Sequence, residues 1–217
     1  MARRDYRTAD GTKVPGVTTI LNATIPKPAL VGWAYKRGKE GLDLYESRDS
    51  AADAGTLCHA MIQAHMTGNR PESAVSGQSV DVVSRAETAF LNWLDWAKGV
   101  QLEPVAIERE LVSEEMTCGG TPDLIARVNG GPLALVDWKS GSGVYLEALV
   151  QVAAYRLIWE ETHPDQPIRG GFYILRVDKE TGDWTFKRFE QLEDAEALFP
   201  MLRAAYELQQ RLQKRVK

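Results

Sequence analysis

The sequence predicts an α/β fold, in which a β-sheet flanked by helices follows a mainly helical N-terminal portion. Helical patterns dominate residues 1–99, strands and helices alternate over residues 100–217, and an Asn-Gly-Gly turn at 129–131 separates two apolar runs. Alternating strands and helices are typical of layered α/β folds, and an Asn-Gly pair between apolar runs is typical of a hairpin. We therefore expect one domain over residues 1–217, with a helical front piece (1–99) and an α/β core (100–217).

The front piece contains four predicted helices. A Pro-Gly turn precedes a short apolar helix near Val17, and a second helix begins at about Pro28, since proline is favoured in the first helical turn. An alanine-rich segment that ends at Gly68 predicts the third helix, because glycine commonly ends helices. After a polar loop over residues 69–77, the pattern predicts a long helix through Ala97.

The core begins with the segment EPVAIERELVS, which alternates apolar and charged residues. This alternation predicts one strand with Val105, Ile107 and Leu111 on its inner face. The two apolar runs around the Asn-Gly-Gly turn then predict a β-hairpin. The remaining predicted elements are a helix over 145–163, strands over 170–177 and 184–189, and a final helix from about Glu193 to Lys214.

The composition, with 44% hydrophobic and 26% charged residues, is typical of a soluble globular protein. No apolar run is long enough to cross a membrane, and no apolar stretch follows the basic N-terminus as in a secretion signal, so we expect a cytoplasmic protein. The net charge is −4, yet residues 1–40 hold eight basic and three acidic residues, and residues 203–217 hold five and one. These basic ends either form a local phosphate-binding surface or are ordinary solvated termini.

The predicted hairpin brings two aspartates together. Asp123 and Asp137 lie at equal distances on either side of the turn, so in an antiparallel pair they are close to cross-strand neighbours. Neighbouring carboxylates repel unless a cation or a proton neutralises them, and Mg²⁺ prefers carboxylate oxygens. Lys139, two residues beyond Asp137, lies on the same face of the strand. These residues indicate either a metal site with a lysine beside it or an ordinary ion pair at a strand end.

Two predicted helices carry further polar residues. Gln151 and Tyr155 are four residues apart and share a face, which fits either contacts to a site or a partly wet helix edge. His59 lies on the alanine-rich helix, where His65 points about 120° away, so the two cannot bind one ion together. A single helical histidine is either a ligand or an ordinary core or surface residue.

Four motifs in this order, GTLCH, GGTPD, DWKSG and QVAAY, resemble the signature of the PD-(D/E)XK nuclease superfamily. The similarity is to its RecB-like exonuclease branch, which includes phage-type nucleases and the mitochondrial genome maintenance exonuclease. It covers Gly55 to Tyr155, and the upstream segments VPGVTTIL and KPALVGWA are similar to the lead-in of that branch. The resemblance implies a restriction-endonuclease-like core, that is, a mixed β-sheet flanked by helices.

The resemblance also implies a metal site. It implies that His59, Asp123, Asp137 and the main-chain carbonyl of Trp138 are ligands, with Glu110 as a further acidic ligand. The expected ion is Mg²⁺, for which Mn²⁺ substitutes. The position held here by Asp137 is Glu in many relatives, and the shorter side chain still permits ligation.

Other roles follow from the same resemblance. Lys139 is expected to act with Asp123 and Asp137 in catalysis by positioning or activating the attacking water. Gln151 and Tyr155 are expected to support the site and to contact the DNA strand. Some relatives hold an iron–sulfur cluster on four cysteines, but this chain has two, Cys58 and Cys118, which we expect to be reduced and to hold no cluster.

The implied activity is metal-dependent exonuclease cleavage of DNA in phage-type recombination, repair or DNA processing. We expect a DNA substrate that is single-stranded or has a free end, and a single-strand annealing or binding protein as a partner, with no membrane partner. Lys36 and Arg37 are the expected DNA-contacting cations, ahead of the nearby aromatic rings. Two alternatives stay open at this point: a structure-selective endonuclease such as a resolvase, and a non-catalytic DNA-binding module of the same fold.

Overall fold

The structure is a computed structural model that describes residues 4–70 and 72–216. Its elements in chain order are α1 (Val17–Thr24), α2 (Pro28–Lys39), α3 (Leu44–Thr67), α4 (Glu72–Val75), α5 (Val80–Ala97), β1 (Leu102–Ile107), β2 (Leu111–Ser113), β3 (Cys118–Gly120), β4 (Leu124–Val128), β5 (Leu133–Lys139), α6 (Leu146–Thr162), β6 (Phe172–Val177), β7 (Trp184–Phe189) and α7 (Glu193–Val216).

The centre of the fold is a mixed five-stranded sheet in the order β1-β4-β5-β6-β7. Strands β4 and β5 form the predicted antiparallel hairpin, and Asn129 (φ 51°) and Gly130 (φ 68°) supply the left-handed turn that such a hairpin requires. Strand β6 pairs with β5 in parallel after the α6 connection, and β7 pairs with β6 in antiparallel fashion. The predicted mixed sheet flanked by helices is confirmed.

Hydrophobic clusters cover both faces of the sheet. One cluster packs α1, α6 and α7 against side chains such as Ile125, Leu135 and Ile174. The other packs α3 and α5 against the alternate side chains of the same strands, including Val136 and Leu175. Side chains that alternate in direction along each strand therefore bury the sheet on both sides. Cys58 belongs to the second cluster and Cys118 to the first.

One predicted strand is wrong in its details. The segment EPVAIERELVS forms two strands, β1 and β2, because Glu108 between them adopts a left-handed backbone conformation with φ 47°. In addition, the pairing of β1 with β4 shifts between Pro104 and Ala106, so Val105 is an extra, bulged residue. The bulge reverses the alternation: Val105 is exposed, and Ala106 is the buried residue.

The helical front piece follows the prediction in outline. Helix α3 ends at Gly68 in the left-handed conformation (φ 70°), as expected for a glycine that ends a helix, while the loop predicted over residues 69–77 contains the short helix α4. Helix α2 buries none of its residues. No helix in the described ranges is long and apolar enough to cross a membrane. The assignment of the whole chain to a single domain stays a prediction.

Candidate active site

The β4–β5 hairpin brings the two predicted aspartates to one end of the sheet. Leu124 pairs with Val136, so the next position places Asp123 opposite Asp137. The backbone N–H of Trp138 donates to Asp123 Oδ2 at 2.8 Å, which fixes the carboxylate against β5. The Asp137 residue is only 1% exposed. The hairpin register, set by the Asn-Gly-Gly turn, thus places two carboxylates side by side, as predicted.

A chain of hydrogen bonds runs from Asp137 into α6. Lys139 Nζ donates to Asp137 Oδ1 and to Gln151 Oε1, both at 2.8 Å. Gln151 Nε2 then donates to Tyr155 Oη at 2.8 Å. A side chain at Gly120 would overlap the Tyr155 ring, so this glycine allows the close approach of the ring. Gln151 and Tyr155 share a helix face as predicted, and the structure brings this face to Lys139.

A second cluster adjoins this chain. His59 Nδ1 on α3 lies 3.3 Å from Asp123 Oδ1 and 3.7 Å from Glu108 Oε1. One ligand atom from each of His59, Glu108 and Asp123 lies within 4.8 Å of the others. The Glu108 backbone N–H donates to the Asp123 carbonyl at 3.0 Å, which holds the end of β1 against the start of β4. Side chains from three separate segments therefore face one small volume.

The acidic residue after β1 in this cluster is Glu108, two positions before Glu110. The Glu108 side chain is 9% exposed, whereas that of Glu110 is 59% exposed and contacts Arg4 Nε at 3.9 Å. Left-handed φ values are uncommon for residues other than glycine and often mark functional sites. At Glu108 this conformation ends β1 and precedes the turn of the chain toward β2. Sequence reasoning missed Glu108 because no residue type in EPVAIERELVS indicates where the strand breaks.

Burial and neighbouring charges shift the pKa values of these groups. Burial raises the pKa of Asp137 to about 6, although the Lys139 ammonium opposes the rise. Burial lowers the pKa of His59, but Asp123 and Glu108 outweigh burial and raise it to about 10. Burial also raises the pKa of Asp123, but His59 and Lys139 hold it below its usual value. The cluster therefore strongly favours positive charge near its carboxylates.

These residues fit a divalent cation. Carboxylate oxygens suit hard divalent ions, and one imidazole beside them is a common addition for transition metals. In the described residues, Asp137 Oδ2 is buried without a hydrogen bond of proper geometry, although it lies 2.6 Å from Lys139 Nζ. A buried carboxylate oxygen without a hydrogen bond is costly unless another group satisfies it. His59, Glu108 and Asp123 each offer one ligand atom to such a cation.

A cleft of about 590 Å³ opens over these groups. The N-terminal segment and α1 form one of its walls, and the site residues with Tyr206 of α7 form the rest. Sequence reasoning gave no individual role to Arg4, Tyr6, Lys13, Thr18, Thr19, Thr121 and Tyr206. Thr18, Thr19 and Thr121 stand in segments that carry the resemblance, whereas Arg4, Tyr6, Lys13 and Tyr206 belong to no quoted motif and reach the cleft through tertiary packing.

Other predicted residues lie away from this cleft. Lys36 and Arg37 on α2 are not among its lining residues, and Arg37 lies 5.9 Å from the Trp33 ring and 3.3 Å from Glu40. The Trp138 ring packs edge-on against two buried tryptophans of α5, Trp93 and Trp96. The Trp138 ring therefore lies in the core, and the role of its carbonyl as a ligand stays a prediction.

Comparison with known families decides the class of protein. A model of the PD-(D/E)XK nuclease superfamily matches residues 32–216. The chain belongs to the PD-(D/E)XK nuclease superfamily. It is therefore a nuclease by family, in a superfamily whose members use divalent metal ions. Residues 4–31, which form one wall of the cleft, lie outside the match.

Solved structures give weaker likenesses. A candidate exonuclease from Eubacterium rectale is 11% identical, with a TM-score of 0.45 over 70% of this chain and 68% of that chain. The protein SSO0001 is also 11% identical, with a TM-score of 0.33 over 73% of this chain and 74% of that chain. A search of curated proteins found no significant match.

Proposed function

We propose that this PD-(D/E)XK nuclease is a divalent-metal-dependent deoxyribonuclease that acts as an exonuclease, with Mg²⁺ as the ion and Mn²⁺ as a substitute. One observation carries the proposal: a chain of hydrogen bonds links Asp137, Lys139, Gln151 and Tyr155, and its Asp137 end lies opposite Asp123, a member of the cluster with His59 and Glu108. A structural ion pair at a strand end needs neither the imidazole nor the further carboxylates.

His59, Glu108, Asp123 and Asp137 would hold the ion in this proposal. A divalent ion there would supply positive charge to the phosphate that is cleaved. The Trp138 carbonyl is a further proposed ligand, carried over from the motif similarity. Glu110, the acidic ligand expected from the motifs, is replaced in the proposal by Glu108, because Glu108 faces His59 and Glu110 is exposed.

Lys139 is proposed to act as a positively charged hydrogen-bond donor. Burial lowers its pKa, but Asp137 and Asp123 outweigh burial and hold the pKa above its usual value, so the group is an ammonium at neutral pH. An ammonium has three N–H donors, and Asp137 and Gln151 accept two of them. In the proposal, the remaining N–H holds the attacking water or a phosphate oxygen and stabilises negative charge as it develops. Positioning is thus favoured over removal of a proton from the water.

Gln151 and Tyr155 are proposed to fix the direction of the Lys139 ammonium. The amide of Gln151 accepts from Lys139 with its oxygen and donates to Tyr155 with its nitrogen, so its orientation is set from both sides. Burial raises the pKa of Tyr155 well above its usual value, which keeps the phenol neutral. Contact of either side chain with DNA is a further part of the proposal, since both line the cleft.

The exonuclease activity, the DNA substrate with a free or single-stranded end, and the role in recombination or repair rest on the four motifs shared with the RecB-like branch. An annealing or binding protein as partner rests on the same similarity, whereas a cytoplasmic location stays a prediction from the sequence. Lys36 and Arg37 remain proposed DNA contacts for strand outside the cleft.

Digestion of matched linear and circular DNA tests the activity. Single-stranded and duplex forms of one sequence, labelled at the 5′ or the 3′ end, are incubated with Mg²⁺, Mn²⁺ or chelator. The proposal predicts that linear DNA is degraded from an end with either ion, that circles survive, and that chelator stops the reaction. Cleavage of circles at a similar rate would instead support the structure-selective endonuclease, and binding without cleavage would support the non-catalytic module.

A further inference from the structure

The N-terminal segment Arg4–Gly16, here called the N-terminal arm, touches the candidate metal site although it lies outside the residues that the superfamily model matches. Arg4 Nη2 donates to Glu108 Oε2 at 2.8 Å. The other carboxylate oxygen, Oε1, is the one that faces His59 Nδ1 at 3.7 Å. The two oxygens of Glu108 are thus divided between the arm and the site.

We propose that Arg4 is a positioning residue that holds Glu108 with one oxygen directed into the metal site. The inference rests on the proposed function, because it assumes that Glu108 binds the ion. Groups that bond to the free atoms of metal ligands fix ligand orientation and commonly change metal affinity about 10- to 100-fold when removed. Arg4 makes such a contact to Glu108.

Glu108 needs this support because its backbone is not in a relaxed conformation. Its φ of 47° lies in the left-handed region, which disfavours residues other than glycine. Glu108 lies beyond the last paired residue of β1, so the strand register alone does not set the direction of its side chain. The guanidinium supplies a directed, charged hydrogen bond that selects one side-chain orientation.

The arm itself is firmly anchored. Tyr6 Oη hydrogen-bonds with Thr121 Oγ1 at 2.9 Å, and a side chain at Gly119 would overlap the Tyr6 ring. The backbone N–H of Gly119 donates to the Pro15 carbonyl at 3.0 Å. Thr121 lies two residues before Asp123, so the arm is fastened to the segment that delivers a proposed ligand. Arg4 is therefore held relative to the site.

Glu110 gains a role from the same contact. Its Oε1 lies 3.9 Å from Arg4 Nε, so Glu108 and Glu110 both contact the same guanidinium. Because the Glu110 side chain is 59% exposed, its contribution is small and screened by salt.

Calorimetric titration of Mn²⁺ into metal-free protein, without DNA, tests the proposal. Arg4→Gln is expected to weaken Mn²⁺ binding about tenfold or more. Arg4→Lys, which keeps the charge, is expected to recover part of the loss. Arg7→Gln is the matched control: it makes the same change on the same arm, but Arg7 pairs with Asp5 and does not line the cleft. Its Mn²⁺ affinity is expected to equal that of the wild type.

A comparison of double variants shows whether Arg4 acts through Glu108 or whether its substitution lowers Mn²⁺ affinity by disturbing the structure of the site in general. In a Glu108→Gln background, Arg4→Gln is expected to cause no further loss of Mn²⁺ affinity, because the oxygen that Arg4 orients is no longer a ligand. Cleavage by Arg4→Gln is expected to need more Mn²⁺ for half-maximal activity, while kcat at saturating Mn²⁺ stays near the wild-type value. A thermal melt in chelator checks that each variant is folded.

Three results would overturn the inference. Arg4→Gln could bind Mn²⁺ within twofold of the wild-type affinity, or it could bind Mn²⁺ more tightly than the wild type. Alternatively, Arg4→Gln could lower Mn²⁺ affinity in the Glu108→Gln background by as much as it does in the wild type. Tighter binding would mean that Arg4 competes with the ion. Failure of the wild type itself to bind Mn²⁺ would overturn the proposed function and, with it, this inference. The wild-type titration therefore distinguishes the two failures.

Discussion

The two halves of the candidate site are assembled in different ways. The lysine half, Asp137, Lys139, Gln151 and Tyr155, comes from one strand and the helix that follows it, and consecutive hydrogen bonds join its members. The histidine half, His59 and Glu108 with Arg4 behind it, comes from three segments far apart in the chain. Asp123 lies between them: its carboxylate faces His59 and accepts from the backbone N–H of Trp138, the residue between Asp137 and Lys139.

This difference separates what local rules determine from what packing determines. The spacing within the lysine half follows from the two-residue repeat of a strand and the 3.6-residue repeat of a helix. The histidine half depends on the bulge in β1, on the left-handed backbone conformation of Glu108 and on the N-terminal arm, whose residues line the cleft. The lysine half holds its ammonium tightly, whereas the histidine half leaves carboxylate oxygens facing an imidazole. Metal binding is therefore expected to be sensitive to the histidine half, and turnover to the lysine half.

The largest effect is expected where the halves meet. Asp123→Asn keeps the shape of the side chain but removes the charge shared by His59 and the proposed ion. We expect cleavage to fall by more than about 10³-fold, since lost charge stabilisation of several kcal/mol has that size. Single-turnover digestion of end-labelled DNA measures it. The exposed Asp95→Asn serves as a matched control, and a loss in the control as large as in Asp123→Asn would argue against a specific role.

The next prediction contrasts two glutamates in the histidine half. Glu108→Gln is expected to weaken Mn²⁺ binding about 10- to 100-fold, as for the loss of a group that tunes a metal site. Glu110→Gln, the same substitution two residues away, is expected to change it less than about threefold, because surface ion pairs contribute little. Calorimetry on both variants gives the answer. The reverse order of effects would restore Glu110 as the acidic ligand.

A smaller effect is expected at the far end of the lysine half. Tyr155→Phe keeps the buried ring but removes the oxygen that accepts from Gln151, so the amide and the Lys139 ammonium lose part of their restraint. We expect kcat to fall about threefold to tenfold, Mn²⁺ affinity to stay unchanged, and unfolding free energy to fall by about 1 kcal/mol. Steady-state kinetics and denaturant unfolding measure these quantities. A change in Mn²⁺ affinity as large as that of Glu108→Gln would show that the halves are not separable.

A separate prediction is a pH dependence of stability in metal-free protein. Burial raises the pKa of Asp137 to about 6. The folded protein therefore keeps the Asp137 proton up to about pH 6, whereas the unfolded chain loses it near the ordinary aspartate pKa of 3.8. This contribution to stability is fully present below the unfolded value and is lost as pH rises through about 6. Wild-type protein should therefore lose stability relative to Asp137→Asn as pH rises from 4 to 7. Denaturant unfolding in chelator measures the unfolding free energy of both proteins at each pH. A difference between them that does not change with pH would contradict the raised pKa of Asp137.

Much of the lysine half could be predicted from the sequence. The Asn-Gly-Gly turn set the register that places Asp123 opposite Asp137, and helical spacing placed Gln151 beside Tyr155. The order of the motifs then gave the superfamily, which the family match shows independently. These features depend on short-range geometry that residue spacing records.

The histidine half was only partly predictable. His59 was identified through its motif, but Glu108 was missed because a bulge at Val105 and a left-handed bend changed which side chains face inward. Arg4 and Tyr6 carry no periodic pattern, and only packing of the arm on Gly119 brings them to the site. Lys36 and Arg37 were predicted from local charge alone, which says nothing of their distance from the cleft.

The most direct test of the account is single-turnover digestion of end-labelled linear DNA by the wild type and by Lys139→Ala. Mn²⁺ and DNA binding are measured on the same preparations, and a thermal melt checks folding, because the substitution leaves Asp137 without its counterion. With saturating Mg²⁺, we expect Lys139→Ala to bind Mn²⁺ and DNA but to cleave at least about 10²-fold more slowly. A folded variant that cleaves within threefold of the wild-type rate, or wild-type cleavage that persists in chelator, would contradict it.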